Sequence, residues 1–266
     1  MENSVKNKQD SQVDKLHFFW VLYLTITSVF FTIFYGWLIV IIRVLKSKDH
    51  KYYLWTYSLQ CYGIKNLLKA QPWLTHVPQI NIPDTDRKVI LVSNHRSHLD
   101  VFFYLSQIKR LRVVAKVELF KAPILGHAMR IIHQIPIEKG NMESFQKASE
   151  IMTEGMRESD RVLFFPELTR SEPRLRDTRK FSLIPFTLAI KENALVIPLV
   201  AWNTDSLWPK GKIGISYKKT FKMFSLPPID SCNFTSANSL KQYVQERINE
   251  ALKSNDNKNT NLHSNV

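Results

Sequence analysis

The sequence predicts an α/β domain, a largely buried mixed sheet flanked by helices, set behind an N-terminal membrane helix. Three observations carry that prediction. Residues 18–42 contain no charged side chain, and the run reaches the roughly 20 residues needed to cross a bilayer core. From Lys88 onward, short apolar runs at 89–92, 111–115, 161–165 and 196–200 alternate with segments of helical periodicity, the pattern of strands buried on both faces with helices between them. The runs at 89–92 and 161–165 end in polar clusters, as strands feeding turns do.

Length and charge narrow the classes. With 266 residues the chain can bury one sizeable core. Residues 16–70 read as an anchor followed by an interfacial helix and 71–253 as one folded domain. The polar ends, 1–15 and 254–266, lack apolar periodicity and are expected to be disordered. A net charge of +14 and a pI near 9.7 mean a surface that attracts polyanions. The charge is dispersed and forms no recognisable nucleic-acid motif, so no nucleic-acid partner is expected. Cys61 and Cys232 stand far apart, in neither a disulfide framework nor zinc-ligand spacing. A body facing the reducing cytosol, without a metal, follows.

Along the chain, residues 18–42 are too long for a signal-peptide apolar region, and Ile41-Ile42-Arg43-Val44 lacks a small-residue cleavage pattern. A retained anchor fits, although a long core helix or an interfacial hairpin shares the composition. Trp20, Tyr23, Tyr35 and Trp37 lie toward its ends, as interfacial aromatics do, and Arg43, Lys46, Lys48 and Lys51 follow it more closely than Lys6, Lys8 and Lys15 precede it. That asymmetry favours a cytoplasmic body. Residues 52–68 mix aromatic and basic side chains, which suits either a membrane-surface helix or one packed on the domain. Helices are then expected at 99–108, 119–132 with an interruption at Pro123, 142–158 and 186–191, and further strands at 134–137 and 213–221. Leu240, Tyr243, Val244, Ile248 and Leu252 mark a closing amphipathic helix. There is no internal repeat and no glycine-rich phosphate loop.

The chemistry concentrates in Asn94-His95-Arg96-Ser97-His98-Leu99-Asp100. Positions 95 and 100 diverge if both lie in one regular helix, so one must sit outside it. Ser97 followed by Asp100 matches a capping-box-like helix start, with Ser97 as N-cap, which leaves His95 in the entry turn off a strand end. There an imidazole with an unperturbed pKa of about 6.5 can take a proton from a hydroxyl, while a carboxylate on its other nitrogen fixes the tautomer. The pair lacks a protein nucleophile, so the hydroxyl belongs to a substrate. A second polar cluster, Phe165-Pro166-Glu167-Leu168-Thr169-Arg170, offers a guanidinium fork suited to phosphate and a carboxylate for a polyol. Between them, Ile135-Pro136-Ile137-Glu138-Lys139 ends another strand with a cation.

These blocks resemble the lysophosphatidic acid acyltransferase family, glycerolipid acyltransferases defined by an Asn-His-x4-Asp block and a Phe-Pro-Glu-Gly-Thr-Arg block. The second block is similar to Pro123-Ile124-Leu125-Gly126 followed by Ile137-Glu138-Lys139, and the fourth to Val196-Ile197-Pro198-Leu199-Val200. The resemblance implies a glycerol-3-phosphate acyltransferase-like fold, with His95 as general base and Asp100 as its partner. It further implies that Glu167, Arg170, Lys139, Thr169, Asn94 and Lys116 bind substrate. Lys116, in a Lys-x-Glu-Leu stretch, either meets the acyl donor or caps the site. Lys139 stands where the family usually has arginine, and Leu168 replaces the family's glycine, a change that loses backbone permissiveness. The implied reaction passes a fatty acyl group from acyl-CoA or acyl-carrier protein to the free hydroxyl of lysophosphatidic acid in a membrane, without a cofactor. Another lysolipid or aminolipid acceptor remains open because of Leu168, and so does a basic membrane-tethered binding module.

Overall fold

The computed structural model describes residues 18–38, 41, 50–158, 160–171, 177–211 and 214–264. The segment 1–15, with Lys6, Lys8 and Lys15, and the basic residues Arg43, Lys46 and Lys48 lie outside them. Strands form at the expected apolar runs: β1 Val89–Ser93, β2 Leu111–Lys116, β3 Ile135–Ile137, β4 Arg161–Phe164 and β5 Leu195–Trp202. They pair in parallel in the order β3-β2-β4-β1-β5. Strands β6 Lys222–Ser225 and β7 Ile229–Asp230 both add antiparallel to β5, which makes the sheet mixed, as expected.

Strands β1, β2, β4 and β5 feed residues alternately to two cores, because successive side chains leave opposite faces of a strand. Ile90, Val92, Val162, Phe164, Val196 and Val200 join one cluster, with α5 Met142–Arg157, α6 Ile184–Glu192 and α7 Ala237–Ser264. Val89, Leu91, Leu163, Phe165, Ile197 and Leu199 join the other, beneath α3 Leu99–Gln107 and Trp73. A sheet covered on both faces needs apolar residues at every position, and that is why its strands read as continuous runs.

The run from residue 18 forms α1 Phe18–Leu38, long and apolar enough to cross a membrane, yet it does not stand alone. It lies beside α2 His50–Lys69. Tyr23 Oη donates to the Ala70 carbonyl at 3.2 Å, Gln71 Nε2 to Thr27 Oγ1 at 3.1 Å and Asn66 Nδ2 to Tyr35 Oη at 3.1 Å. Gly63 permits this approach, since a Cβ there would stand 2.9 Å from the Tyr35 ring. Trp20, Val21 and Leu24 pack on the α3-side core, while Phe18, Ile26, Phe30, Ile33, Phe34 and Trp37 are exposed. One stripe of α1 is thus docked through polar and aromatic contacts and the other is bare. Within residues 52–68, Tyr57, Leu67 and Leu68 are buried toward the domain, and Trp55 and Tyr62 are exposed.

Three expectations are corrected. Pro123 does not interrupt a helix but opens α4 Pro123–Ile131 after a 3-10 turn, Val117–Lys121; its missing N–H is harmless in a first turn. The described part of 213–221 forms no strand. Its apolar residues Ile215 and Phe221 are loop anchors, fully buried, and Lys218 between them has a left-handed φ of 48° that breaks extension; pairing with β5 starts only at Lys222. The segment from Ser254 is not disordered as far as Ser264 but continues α7. Tertiary contacts hold its start, with Trp202 Nε1 donating to Asp256 Oδ1 at 2.7 Å and Lys222 Nζ to Asn255 Oδ1 at 3.3 Å.

Candidate active site

All parallel strands point their carboxyl ends at one edge, where open α/β sheets place their ligands. His95 enters that edge from β1 and Asp100 sits in the first turn of α3. Asp100, fully buried, gathers three donors on Oδ2: the Arg96 and Ser97 N–H groups, both at 2.8 Å, and His95 Nδ1 at 3.0 Å. The Ser97 bond is the one a capping-box carboxylate makes, but the helix starts one residue later than expected, with His98 rather than Ser97 at the N-cap and no cap bond from its side chain. The serine half is distorted, because Ser97 Oγ accepts weakly from the Leu99 N–H at 3.4 Å and donates to the Trp208 carbonyl at 3.3 Å. One carboxylate therefore both starts a helix and holds an imidazole. A carboxylate accepts only, so Nδ1 carries the hydrogen and Nε2 keeps its lone pair. His95 is partly exposed, and Nε2 has no hydrogen-bond partner among the described residues.

The loop after β4 brackets His95. Its N–H donates to Glu167 Oε1 at 2.9 Å and its carbonyl accepts from the Ser171 N–H at 2.7 Å. The Phe165 ring lies 4.2 Å from the imidazole, centroid to centroid. Glu167 is itself buried, and its Oε2 accepts from the Ser171 hydroxyl and from the Arg179 N–H at 3.0 Å. Both oxygens are thereby engaged by the protein. Glu167, expected to bind substrate, ties the loop after β4 to the His95 backbone. Asn94, also expected to bind substrate, is engaged by the protein as well. Fully buried, it exchanges two bonds with the Ala201 peptide, donating at 2.9 Å and accepting at 2.8 Å, which ties the exit of β1 to β5.

Arg170 does converge on the pair. Its Nη1 is buried with no hydrogen-bond partner among the described residues. Desolvation lowers the guanidinium pKa against the opposing attraction of Asp100. His98 belongs to the same field: desolvation, then the positive charge of Arg170 and that of His95 when it is protonated, push it down to about 4, opposed by Asp100. Thr169 is half-buried beside Arg170. Lys116 and Lys139 end β2 and β3 at the same edge, exposed, but the strand order sets β2 between β3 and β4. With strands about 4.8 Å apart, the end of β3 lies roughly 10 Å from β4, and Lys139 follows β3 two residues beyond its end. Among the described residues no group of three or more His, Cys, Asp and Glu side chains is disposed to hold a metal ion.

Sequence reasoning missed Ser171, His98 as a neighbour of the base, and Trp208, whose ring meets His98 edge-on at 5.5 Å. Ser171 and His98 adjoin the motifs and could have been read from them. Trp208 comes from the connection after β5, and no local pattern announced it.

The acyltransferase family model matches residues 61–202, which takes in β1 to β5 and every motif described above. The chain belongs to that family. It is 30% identical to the chloroplastic 1-acyl-sn-glycerol-3-phosphate acyltransferase LPAT1 of Arabidopsis thaliana over 65% of this chain and 47% of that protein. It is 27% identical to the 1-acyl-sn-glycerol-3-phosphate acyltransferase of Pseudomonas aeruginosa over 55% of this chain and 59% of that one. The chain spans about half the length of the curated relatives it matches. The crystal structure of the 1-acyl-sn-glycerophosphate acyltransferase PlsC from Thermotoga maritima superposes with a TM-score of 0.75 at 23% identity, covering 90% of this chain and 95% of that one, and so shares the fold. In this family member Leu168 occupies the glycine position with a φ of 56°, the left-handed conformation that glycine adopts at no steric cost. Its side chain packs against the α5–α7 core, so the backbone of the block is preserved and the added bulk is turned inward.

The bracket around His95 makes a prediction for Glu167. Glu167→Gln has one acceptor oxygen where the carboxylate has two, so an NH2 group must face either the His95 N–H at Oε1 or the Ser171 and Arg179 donors at Oε2, and the bracket around His95 loses part of its support. Turnover is expected to fall by about tenfold to a hundredfold, since small misplacements of a base are costly, while the acceptor KM stays near the wild-type value. Steady-state kinetics on a variant with unchanged Tm checks this; a raised KM with intact kcat would restore Glu167 to the acceptor.

Proposed function

We propose that this protein is a membrane-bound O-acyltransferase that passes a fatty acyl group from acyl-CoA or acyl-carrier protein to the free hydroxyl of lysophosphatidic acid, on the cytoplasmic side of a membrane. The observation that carries the reading is the His95 imidazole, held at Nδ1 by buried Asp100, whose charge also acts on the desolvated guanidinium of Arg170. Nε2 takes the proton of the acceptor hydroxyl as its oxygen attacks the thioester carbonyl. The imidazolium then returns that proton to the departing thiol, so no covalent intermediate on the protein is required. Much of the barrier reduction comes from positioning the two substrates. The desolvated guanidinium of Arg170 suits the acceptor's phosphate, which it can meet bidentately. The printed names of the relatives favour this acceptor, and the inward turn of Leu168 gives no reason to choose another. The bare stripe of α1 supports membrane attachment, and the lysines and arginine that follow the apolar run support the cytoplasmic side.

The reading is tested by thioester loss from acyl-CoA and from acyl-carrier protein, with and without lysophosphatidic acid. Loss that depends on the acceptor and yields the diacyl product supports it, and acceptor-independent loss would identify a hydrolase instead. Arg170→Ala is expected to raise the acceptor KM by roughly tenfold or more, as the loss of a charge-assisted phosphate contact should. Its effect on the donor KM should be small, and kinetics with each substrate varied in turn distinguish the two.

A further inference from the structure

The connection from β5 to β6 touches both the active-site mouth and the root of the apolar helix. At one end, Trp208 accepts from Ser97 Oγ through its carbonyl at 3.3 Å and meets His98 with its ring. At the other, Tyr217 stacks on Trp20 of α1 with centroids 5.5 Å apart and planes 22° from parallel. The connection is held in shape from beneath. Leu207, Ile215 and Phe221 are buried, the Ser216 N–H donates to the Leu207 carbonyl at 2.8 Å, and the Lys218 N–H to the Trp73 carbonyl at 2.8 Å. Its outer surface is aromatic and basic. Tyr217, Lys218 and Lys219 are exposed, the Lys218 ammonium sits 5.1 Å from the Tyr217 ring centroid, and neither lysine makes an ion pair among the described residues. Between Asp205 and Asp230 the sequence has Lys210, Lys212, Lys218, Lys219 and Lys222 and no acidic residue.

We propose that this connection is an interfacial loop for an anionic phospholipid surface, with Tyr217 at head-group depth and Lys218 and Lys219 on lipid phosphates, setting the mouth of the site at the level where the acceptor's phosphate lies. Continuity argues for a bilayer rather than a soluble partner: the basic cap adjoins the exposed apolar stripe of α1 through the Trp20–Tyr217 stack, and an apolar face beside an aromatic and cationic rim is the composition of interfacial segments. The apolar stripe alone would bind any bilayer. The lysines add a preference for negative charge, which fades with salt. The inference rests on the reading that the acceptor is drawn from a membrane.

The test uses the full chain and a charge-reversed double variant, Lys218→Glu with Lys219→Glu, neither residue being part of the catalytic machinery. Co-sedimentation is measured with phosphatidylcholine vesicles with and without phosphatidylglycerol. Turnover is measured on a long-chain acceptor in those vesicles and on a short-chain lysophosphatidic acid dissolved as monomer. The variant is expected to bind anionic vesicles roughly twentyfold or more weakly and to lose vesicle turnover in proportion. Binding to neutral vesicles and turnover of the monomeric acceptor should stay at wild-type values. Unchanged anionic binding, an equal loss on both vesicle types, or a raised KM for acyl-carrier protein with vesicle binding intact would each overturn the proposal. Wild-type protein that ignores both vesicle types would overturn the membrane reading and the loop with it. Wild-type protein that binds anionic vesicles through these lysines but acylates no lysolipid would overturn the acceptor assignment alone and leave the loop supported.

Discussion

His95→Ala is expected to lower turnover by about 10²–10⁴-fold, the usual contribution of a positioned general base, with the fold and the KM of both substrates little changed. The reason lies in what surrounds the imidazole. Its Nδ1 is committed to Asp100, its backbone is bracketed by Glu167 and Ser171, and Phe165 supports one ring face. Only Nε2 faces outward. Removing the ring therefore deletes the proton acceptor while Asp100 retains two backbone donors, from Arg96 and Ser97, so the helix start survives. Circular dichroism and thermal melting should match the wild type. Acceptor-dependent thioester loss at the wild-type rate would sink the assignment of His95 as base.

Asp100→Asn should cost nearly as much, on the order of 10²–10³-fold in kcat, through a different route. The amide oxygen can still receive the three donors that now meet Oδ2. A neutral amide, however, cannot stabilise the imidazolium that forms when the acceptor is deprotonated. The amide nitrogen would occupy the place of Oδ1, which is buried without a hydrogen-bond partner, so a stability loss of about 1–3 kcal/mol for an unsatisfied buried donor is expected as well. Asp100→Ala should be worse for folding, because it orphans the Arg96 and Ser97 N–H groups inside the protein. The pair of variants separates the two duties: the asparagine chiefly loses kcat, and the alanine loses kcat and Tm together. A fully active Asp100→Asn enzyme would remove the carboxylate from the mechanism.

Much of the fold was legible because it depends on local patterning. The continuous runs at β1, β4 and β5 are what two-sided burial demands, and the stripe of Ala148, Met152 and Met156 on α5 announced a helix against one face. The failures share a cause. Residues 213–221 look like a strand because Ile215 and Phe221 are apolar, but burial of a loop anchor and burial of a strand residue leave the same trace in a sequence; only the left-handed Lys218 separates them. The tail at 254–264 is polar enough to be read as disordered, and its helix is held by Trp202 and Lys222 from strands distant in sequence.

The sequence by itself determined the pairing of His95 with Asp100 and the strand-to-helix corner that joins them, because those depend on five residues of chain and one carboxylate that can reach the backbone and imidazole donors before it. It also determined that a cation would follow β4. Tertiary structure alone decided that Glu167 and Asn94 hydrogen-bond the backbone at His95 and Ala201. Strand order, likewise invisible in the sequence, set β2 between β3 and β4 and so placed the strand that leads to Lys139 two positions from the one that leads to Arg170. The physical reason is common to these cases: a polar side chain can satisfy the protein's own buried donors or a ligand's, and which it does depends on what the fold brings within about 3 Å of it.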